Sequence, residues 1–226
     1  MAFPVALEQW IGGERLALLR EVALVPRDLG DVVPDAKPGD DVVVLVHGFL
    51  ASGGVFRPLR RKLEREAGAR VATFTHPPGA GIVRIAKRLA AVVDRIPEGA
   101  RITVVGHSLG GVVARWYVQE MGGRARVART VSLASPFGGI DVPPYFVGND
   151  LHEQSVLLKR LRDGAHVCGV PHTSIVGEKD SLVVGVETAC LGFGEVVVLP
   201  ERGHNGLLFC EQAAALVIDR VKSLPL

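Results

Sequence analysis

The sequence predicts an α/β fold, with a mostly parallel central sheet and helices packed on both of its faces. Short apolar runs rich in β-branched residues alternate along the chain with segments in which apolar residues recur at helical spacing. Hydrophobic residues make up 48% of the 226 residues but aromatic residues only 5%, so Val, Leu, Ile and Ala must build the core. That mixture is typical of buried parallel strands and the helices that cover them.

Six short runs have the length and continuity of strands that are buried on both faces. They are Val42–Val46, Arg70–Thr75, Ile102–Val105, Thr130–Ala134, Thr173–Val176 and Val196–Leu199. The segments with helical periodicity are Val55–Leu63, Ile82–Ile96, Leu109–Met121 and Leu207–Val221. Strand and helix therefore alternate, as right-handed crossovers between parallel strands require.

Two segments depart from this alternation. Residues 1–25 carry an apolar pattern that fits either a helix or an extra edge strand, and we predict a helical N-terminal extension. Residues 137–170 form a long insertion between two predicted strands, with a helical stretch near Glu153–Leu161. A connection of this length is usually functional, so we interpret it as a small cap or lid. No repeat or linker divides the chain, and we predict a single domain over residues 1–226.

Charge and cysteine content exclude several kinds of partner and site. Lys and Arg number 26 against 24 Asp and Glu, and they are scattered, which predicts no nucleic-acid partner. Cys168, Cys190 and Cys210 lack metal-ligand spacing, so we predict no metal site. We favour free thiols over a Cys168–Cys190 bridge, which would require export. Because no stretch predicts a signal peptide or a membrane span, we expect a soluble protein, cytoplasmic or secreted after removal of a leader.

The decisive motif lies where the predicted strand Ile102–Val105 turns directly into a helix. The turn reads Gly106-His107-Ser108-Leu109-Gly110, a Gly-x-Ser-x-Gly pattern. Its glycines allow so tight a turn that Ser108 must sit at the apex in a strained conformation, with its hydroxyl lifted clear of the sheet. This context predicts a nucleophilic serine.

A second strand ends in Val46-His47-Gly48-Phe49. An attacking serine needs two backbone N–H groups directed at the oxygen that becomes negative. We predict that the N–H groups of Phe49 and Leu109 supply this oxyanion hole, with Gly48 allowing close approach of the backbone. His47 more plausibly hydrogen-bonds to the backbone and shapes this loop than acts as a base.

A serine nucleophile also requires a base, and the base requires a third group to orient it. Of the seven histidines, His204 stands out because it lies in a Gly-His-Asn-Gly loop between the last predicted strand and the C-terminal helix. Asp180 follows the fifth predicted strand at the same edge of the sheet, and we favour it as the acid over Glu178 and Asp141. The chain order Ser108, Asp180, His204 is the one expected of a particular scaffold.

Three motifs in register resemble those of the small serine lipases and esterases of the α/β-hydrolase superfamily. They are His47-Gly48-Phe49, Gly106-His107-Ser108-Leu109-Gly110-Gly111 and Leu133-Ala134-Ser135-Pro136-Phe137-Gly138-Gly139. The resemblance extends from about residue 40 to the end of the chain and implies ester hydrolysis through an acyl-serine intermediate, without a cofactor. The chain departs from the family in having Phe137 where lipases often carry His, and in its compact insertion.

The few aromatic residues suggest where a substrate would bind. Phe137, Tyr145 and Phe146 lie close together in the insertion, and we predict that they line an apolar acyl site, although they would equally serve to pin the loop. The predicted function is a serine carboxylic-ester hydrolase, with a small-molecule or lipid ester as substrate and a transient lipid interface as a further partner. A thioesterase or acyltransferase using the same triad is the alternative, and a non-catalytic binding module is a remote one.

Overall fold

The computed structural model describes the backbone of residues 3–141 and 148–223, and their side chains outside 3–12 and 148–149. The elements in chain order are α1 (Phe3–Leu24), β1 (Asp41–Val46), α2 (Arg57–Lys62), β2 (Arg70–Thr73), α3 (Ile82–Val93), β3 (Arg101–His107), α4 (Leu109–Glu120), β4 (Val127–Leu133), α5 (Val156–Gly164), β5 (His172–Gly177), α6 (Val186–Ala189), β6 (Glu195–Leu199) and α7 (Glu211–Lys222).

The six strands form one sheet in the order β2-β1-β3-β4-β5-β6, and every neighbouring pair is parallel. The predicted fold class is confirmed, and each predicted strand is present. β3 is longer than predicted because Gly106 and His107 continue to pair with Ser132 and Leu133 of β4. All strands point the same way, so the loops that follow them meet at one edge of the sheet.

Both faces of the sheet are covered. Val42, Val44 and Val46 of β1 pack into a cluster with α3, α4 and α5, whereas Val43 and Leu45 pack into a second cluster with α2 and α7. All five side chains are fully buried. Alternate residues of one strand thus serve the two cores, as the period of a β-strand requires.

β6 departs from the prediction of a strand buried on both faces. Val196 and Val198 are 41% and 42% exposed, whereas Leu199 is buried. β6 is the last strand of the sheet and pairs with β5 alone. An apolar run therefore indicated the strand correctly but could not indicate that it lies at an edge.

The helices differ from the predicted ones mainly at their ends. A 3-10 turn, Gly53–Phe56, precedes α2, and a π-helical turn, Leu63–Ala67, follows it. The predicted C-terminal helix is divided into a 3-10 turn, Gly206–Phe209, and α7. The helix of the insertion begins later than predicted, at Val156, because the Ser155 hydroxyl accepts the N–H of Leu158 and caps it.

The described part of the insertion packs against the body. Leu151, Leu158 and Leu161 are buried in the core, and the Asp150 carboxylate accepts the N–H of Ile82 at 2.8 Å. Asp150 thereby caps α3, whose preceding residue is a glycine without a capping side chain. The interpretation of this segment as a lid stays a prediction.

Two further expectations concern the chain as a whole. Cys168, Cys190 and Cys210 are free thiols. Within residues 3–141 and 148–223 there is no helix with the length and apolar character needed to span a membrane.

Candidate active site

Ser108 occupies the turn between β3 and α4 in a conformation that side chains rarely adopt. Its φ is 53° and its ψ is −124°, a strained combination for a residue with a Cβ. The strain is held in place by the neighbouring backbone: the Ser108 N–H donates to the carbonyl of Leu133 at 2.8 Å, and its carbonyl accepts the N–H of Gly111 at 3.1 Å. The residue is 8% exposed.

Two glycines of the motif make this turn sterically feasible. A Cβ at Gly106 would collide with the backbone of Gly110 and Gly111, and a Cβ at Gly110 would collide with the carbonyl of Val46. The end of β1 and the first turn of α4 are therefore in direct backbone contact. The arrangement holds the loop after β1 next to the turn that carries Ser108.

That loop lies against Ser108 and is shaped by two histidines. A Cβ at Gly48 would lie 3.1 Å from the Cβ of Ser108. The His47 ring donates through Nδ1 to the carbonyl of Gly48 at 2.7 Å and accepts the N–H of His76 at Nε2. It also stacks on the His76 ring, with centroids 3.8 Å apart.

Burial, reinforced by His76, lowers the pKa of His47 to about 3. With both ring nitrogens bonded to the backbone, neutral His47 shapes the loop, as the sequence analysis expects.

His204 and Asp180 meet across two loops at the carboxyl edge of the sheet. The His204 Nδ1 and Asp180 Oδ2 atoms are 2.8 Å apart, with the Asp180 side chain 1% exposed and the imidazole 10% exposed. The other oxygen, Oδ1, accepts the N–H groups of Leu182 and Val183 at 2.9 and 2.8 Å. Because each carboxylate oxygen has its own donors, the carboxyl plane is fixed and Oδ2 is directed at the imidazole.

The alternative acids lie elsewhere. Glu178 accepts the N–H of Glu201 at 3.3 Å and is exposed, and Asp141 is exposed as well. The structure therefore brings Asp180, the acid predicted from the sequence, into contact with His204.

Sequence reasoning missed two contacts that hold the His204 loop. The His107 ring, in the nucleophile turn itself, donates through Nε2 to the carbonyl of His204 at 3.1 Å, and the two rings lie 4.9 Å apart. Burial lowers the pKa of His107 to about 3, so this imidazole is neutral. From α1, the Glu14 carboxylate accepts the N–H groups of Asn205 and Gly206. Only the first contact had a sequence signal, because His107 is adjacent to Ser108.

Of the three predicted substrate contacts, the structure describes only Phe137. Phe137 has no exposed surface, and its ring packs edge-on against the buried His172 at 5.4 Å, so the structure places it in the core rather than on a binding surface. Tyr145 and Phe146 lie outside the described residues. Leu109 begins α4 directly after Ser108, and half-buried Phe49 directly follows Gly48.

No group of three or more His, Cys, Asp or Glu side chains in the described parts of the chain is arranged to hold a metal ion. The residues that the structure brings to the candidate site are the strained Ser108 and the hydrogen-bonded pair of His204 and Asp180.

Comparison with known proteins shows which family has this architecture. Residues 41–156, just over half of the chain, match the family model of the alpha/beta hydrolase fold. A comparison with curated protein sequences found no match.

Among solved structures, Aspergillus fumigatus lipase B is similar, with a TM-score of 0.71 and 19% identity over 86% of this chain. This chain spans only 56% of the length of that lipase. The mature lipase BlEst2 of Bacillus licheniformis has a TM-score of 0.67 and 15% identity, covering 85% of this chain and 96% of its own. The monoacylglycerol lipase of Paleococcus ferrophilus has a TM-score of 0.64 and 16% identity, covering 84% and 98%.

These likenesses agree in fold with the parallel sheet described above. The matched residues include the loop after β1 and the whole turn around Ser108. The chain belongs to the α/β-hydrolase fold family.

Proposed function

We propose that this protein is a serine hydrolase that cleaves carboxylic esters of apolar acyl groups through an acyl-serine intermediate. The observation that carries the proposal is the 2.8 Å hydrogen bond between His204 and a buried Asp180, at the same sheet edge as the strained Ser108. A strained serine and an imidazole oriented by a carboxylate, at one edge of the sheet, are the groups that nucleophilic catalysis requires.

In the proposed reaction, His204 Nε2 accepts the hydroxyl proton of Ser108 while Oγ attacks the ester carbonyl carbon. The bond between Nδ1 and Asp180 keeps the Nδ1–H tautomer and stabilises the imidazolium that forms. Collapse of the tetrahedral intermediate breaks the bond to the alcohol oxygen, which takes the proton from His204. Water then attacks the acyl-serine with His204 again as the base, releasing the acid and restoring Ser108.

The negative oxygen of the intermediate requires donors that are already in place. We assign this role to the N–H groups of Leu109 and Phe49. Leu109 is the first residue of α4, so its N–H has no acceptor within the helix and lies at the positive end of the helix dipole. Phe49 follows Gly48, which lies against the Ser108 side chain.

The substrate class rests on chemistry and on likeness. Two of the similar solved structures are described as lipases and a third as a monoacylglycerol lipase, which favours small-molecule or lipid esters here. A transient lipid interface stays part of the proposal, and Leu50, next to the proposed oxyanion loop and 60% exposed, is a residue that it would contact. Tyr145 and Phe146 stay proposed contacts for the acyl group.

The test compares the wild type with Ser108→Ala on p-nitrophenyl esters from acetate to palmitate, together with labelling by a fluorophosphonate. We expect kcat to fall by at least about 10³-fold and labelling to disappear, with the circular dichroism spectrum unchanged.

Ser223→Ala, at an exposed serine after α7, is the matched control and should be labelled normally. Ester turnover by folded Ser108→Ala close to that of the wild type would exclude the proposal. Faster turnover of acyl-CoA than of any ester would replace the esterase by a thioesterase or acyltransferase with the same nucleophile.

A further inference from the structure

In the part of α1 whose side chains the structure describes, residues 13–24, both acidic side chains face the body and most of the large apolar side chains face outward. Glu14 and Glu21 are half-buried, and Ala17 between them is 4% exposed. The outward residues are Leu16, Leu18, Leu19 and Val22, which are between 50% and 66% exposed. A helix usually buries its apolar stripe. The reversed orientation of α1 therefore indicates that its carboxylates have a task at the surface they cover.

That surface is the loop that carries His204. Glu14 Oε1 accepts the N–H of Gly206 at 2.9 Å, and Oε2 accepts the N–H of Asn205 at 3.3 Å. These N–H groups open the 3-10 turn Gly206–Phe209, which has no capping side chain of its own. Glu14 thus provides from a distant helix the capping interaction that the turn lacks.

The loop also fits closely around the carboxylate. A Cβ at Gly203, on the other side of His204, would collide with the Glu14 carboxyl group, and a Cβ at Gly206 would lie 2.5 Å from Glu14 Oε1. The glycines that flank His204 therefore let the loop approach Glu14 on both sides of the histidine. A side chain at either position would displace the Glu14 carboxylate from its place against the loop.

Three contacts now determine where the imidazole lies. Asp180 holds its Nδ1, His107 holds its backbone carbonyl, and Glu14 holds the next two N–H groups. We propose that Glu14 is a positioning residue for His204, so that the N-terminal helix completes the active site. The proposal rests on the proposed function, in which His204 is the base. Glu14 lies outside residues 41–156, so the family match does not assign this role.

The electrostatic surroundings are consistent with the geometry. Burial raises the pKa of Glu21, while the nearby His204 lowers it and Glu14 raises it. Asp180, His107, Glu14 and Glu21 are thus titratable groups close to His204 or to its loop. Removing the Glu14 charge changes the field at His204 in addition to releasing the loop.

The test compares Glu14→Ala and Glu14→Gln with the wild type. Loss of both bonds in Glu14→Ala should lower kcat for p-nitrophenyl butyrate by about 10- to 100-fold, with little change in KM, because a base displaced by about 1 Å loses that much. Gln keeps one acceptor oxygen at the same reach and loses the other, so kcat should fall less, by about 3- to 10-fold. The rate of fluorophosphonate labelling of Ser108 should fall in the same order.

Asp28→Asn is the matched control. Asp28 binds Arg57 through two hydrogen bonds and ties the segment after α1 to the body without touching the His204 loop. It should lower the thermal midpoint and leave kcat of the folded enzyme unchanged. Arg20→Ala, at an exposed residue of the same helix, controls for the alanine itself.

The outcomes separate the two proposals. If Glu14→Ala keeps the wild-type kcat, or loses no more than Asp28→Asn, Glu14 is not a positioning residue although the hydrolase assignment stands. If Glu14→Ala does not fold, unchanged kcat in Glu14→Gln overturns the inference by itself. If the wild type is neither labelled nor active on any ester, the proposed function is wrong, and the positioning role of Glu14, which rests on it, is wrong as well.

Discussion

Replacing Asp180 with Asn changes a single atom of the carboxyl group that orients His204, and the surrounding hydrogen bonds determine how the new amide must lie. Oδ1 accepts the N–H groups of Leu182 and Val183, which can only donate. The amide oxygen of Asn must therefore occupy the Oδ1 position, because an NH₂ group there would face two donors. The NH₂ group is left facing His204.

The amide then favours the Nε2–H tautomer of His204, which cannot accept a proton at Nε2. An NH₂ group facing Nδ1 of His204 requires Nδ1 to accept, so the imidazole proton moves to Nε2. In our mechanism Nε2 is the atom that must accept the Ser108 proton. The corresponding change in a Ser-His-Asp triad lowers kcat by about 10⁴-fold, or about 5.5 kcal/mol in activation free energy. The fold should survive, because each polar contact keeps a donor and an acceptor.

The assay is kcat for p-nitrophenyl butyrate, with circular dichroism and urea unfolding on the same samples. Glu178→Gln and Asp141→Asn are the matched controls, since both side chains are exposed carboxylates with no contact to His204 in the structure. We expect both to retain wild-type kcat. A folded Asp180→Asn enzyme within about 10-fold of wild type would refute the tautomer argument. A large loss in Glu178→Gln instead would mean that the acid was wrongly chosen.

Two further predictions concern stability. Between the ordinary pKa of 6.5 and the lowered value of about 3, unfolded His47 binds a proton that folded His47 does not, so stability is complete above pH 6.5 and falls below it. This one residue should lower the free energy of unfolding by about 2 kcal/mol at pH 5. Urea unfolding of the wild type and of His47→Gln between pH 5 and 7.5 measures this effect. If the free energy of unfolding changes equally with pH in both proteins, the prediction is wrong. Phe137→Ala should cost about 3 to 5 kcal/mol of stability, because it empties a fully buried site, with little effect on KM. A higher KM at unchanged stability would restore Phe137 as a substrate contact.

Local pattern was sufficient to predict most of the fold. A buried parallel strand reads as a continuous apolar run, so all six strands were visible in the sequence. The turn that carries Ser108 was visible in the sequence too, because tight backbone contacts, such as that of Gly110 with Val46, admit only glycine. The edge position of β6 could not be predicted from the sequence, since strand order depends on pairing between distant segments.

The contacts around His204 show a second limit. Glu14 and Gly206 are separated by most of the chain, and nothing near either residue marks the other as its partner. Residues 1–25 predict a helix, but their apolar pattern favours burial of Leu16 and Leu19, which are exposed in the structure. The pattern fails because the covered surface includes the backbone N–H groups of Asn205 and Gly206, which require acceptors rather than apolar side chains.

The seven histidines show why a base cannot be chosen by counting residues. Burial lowers the pKa of His47, His107 and His172, and each of these rings is bonded to backbone or hydroxyl groups. Such rings stay neutral and fixed, because protonation would bury an unpaired charge. Among the contacts between described residues, His204 is the one histidine of the seven with a hydrogen bond to a carboxylate. A ring that must gain and lose a proton in each cycle needs that partner, and so the environment, rather than the residue type, supports the proposal of His204 as the base.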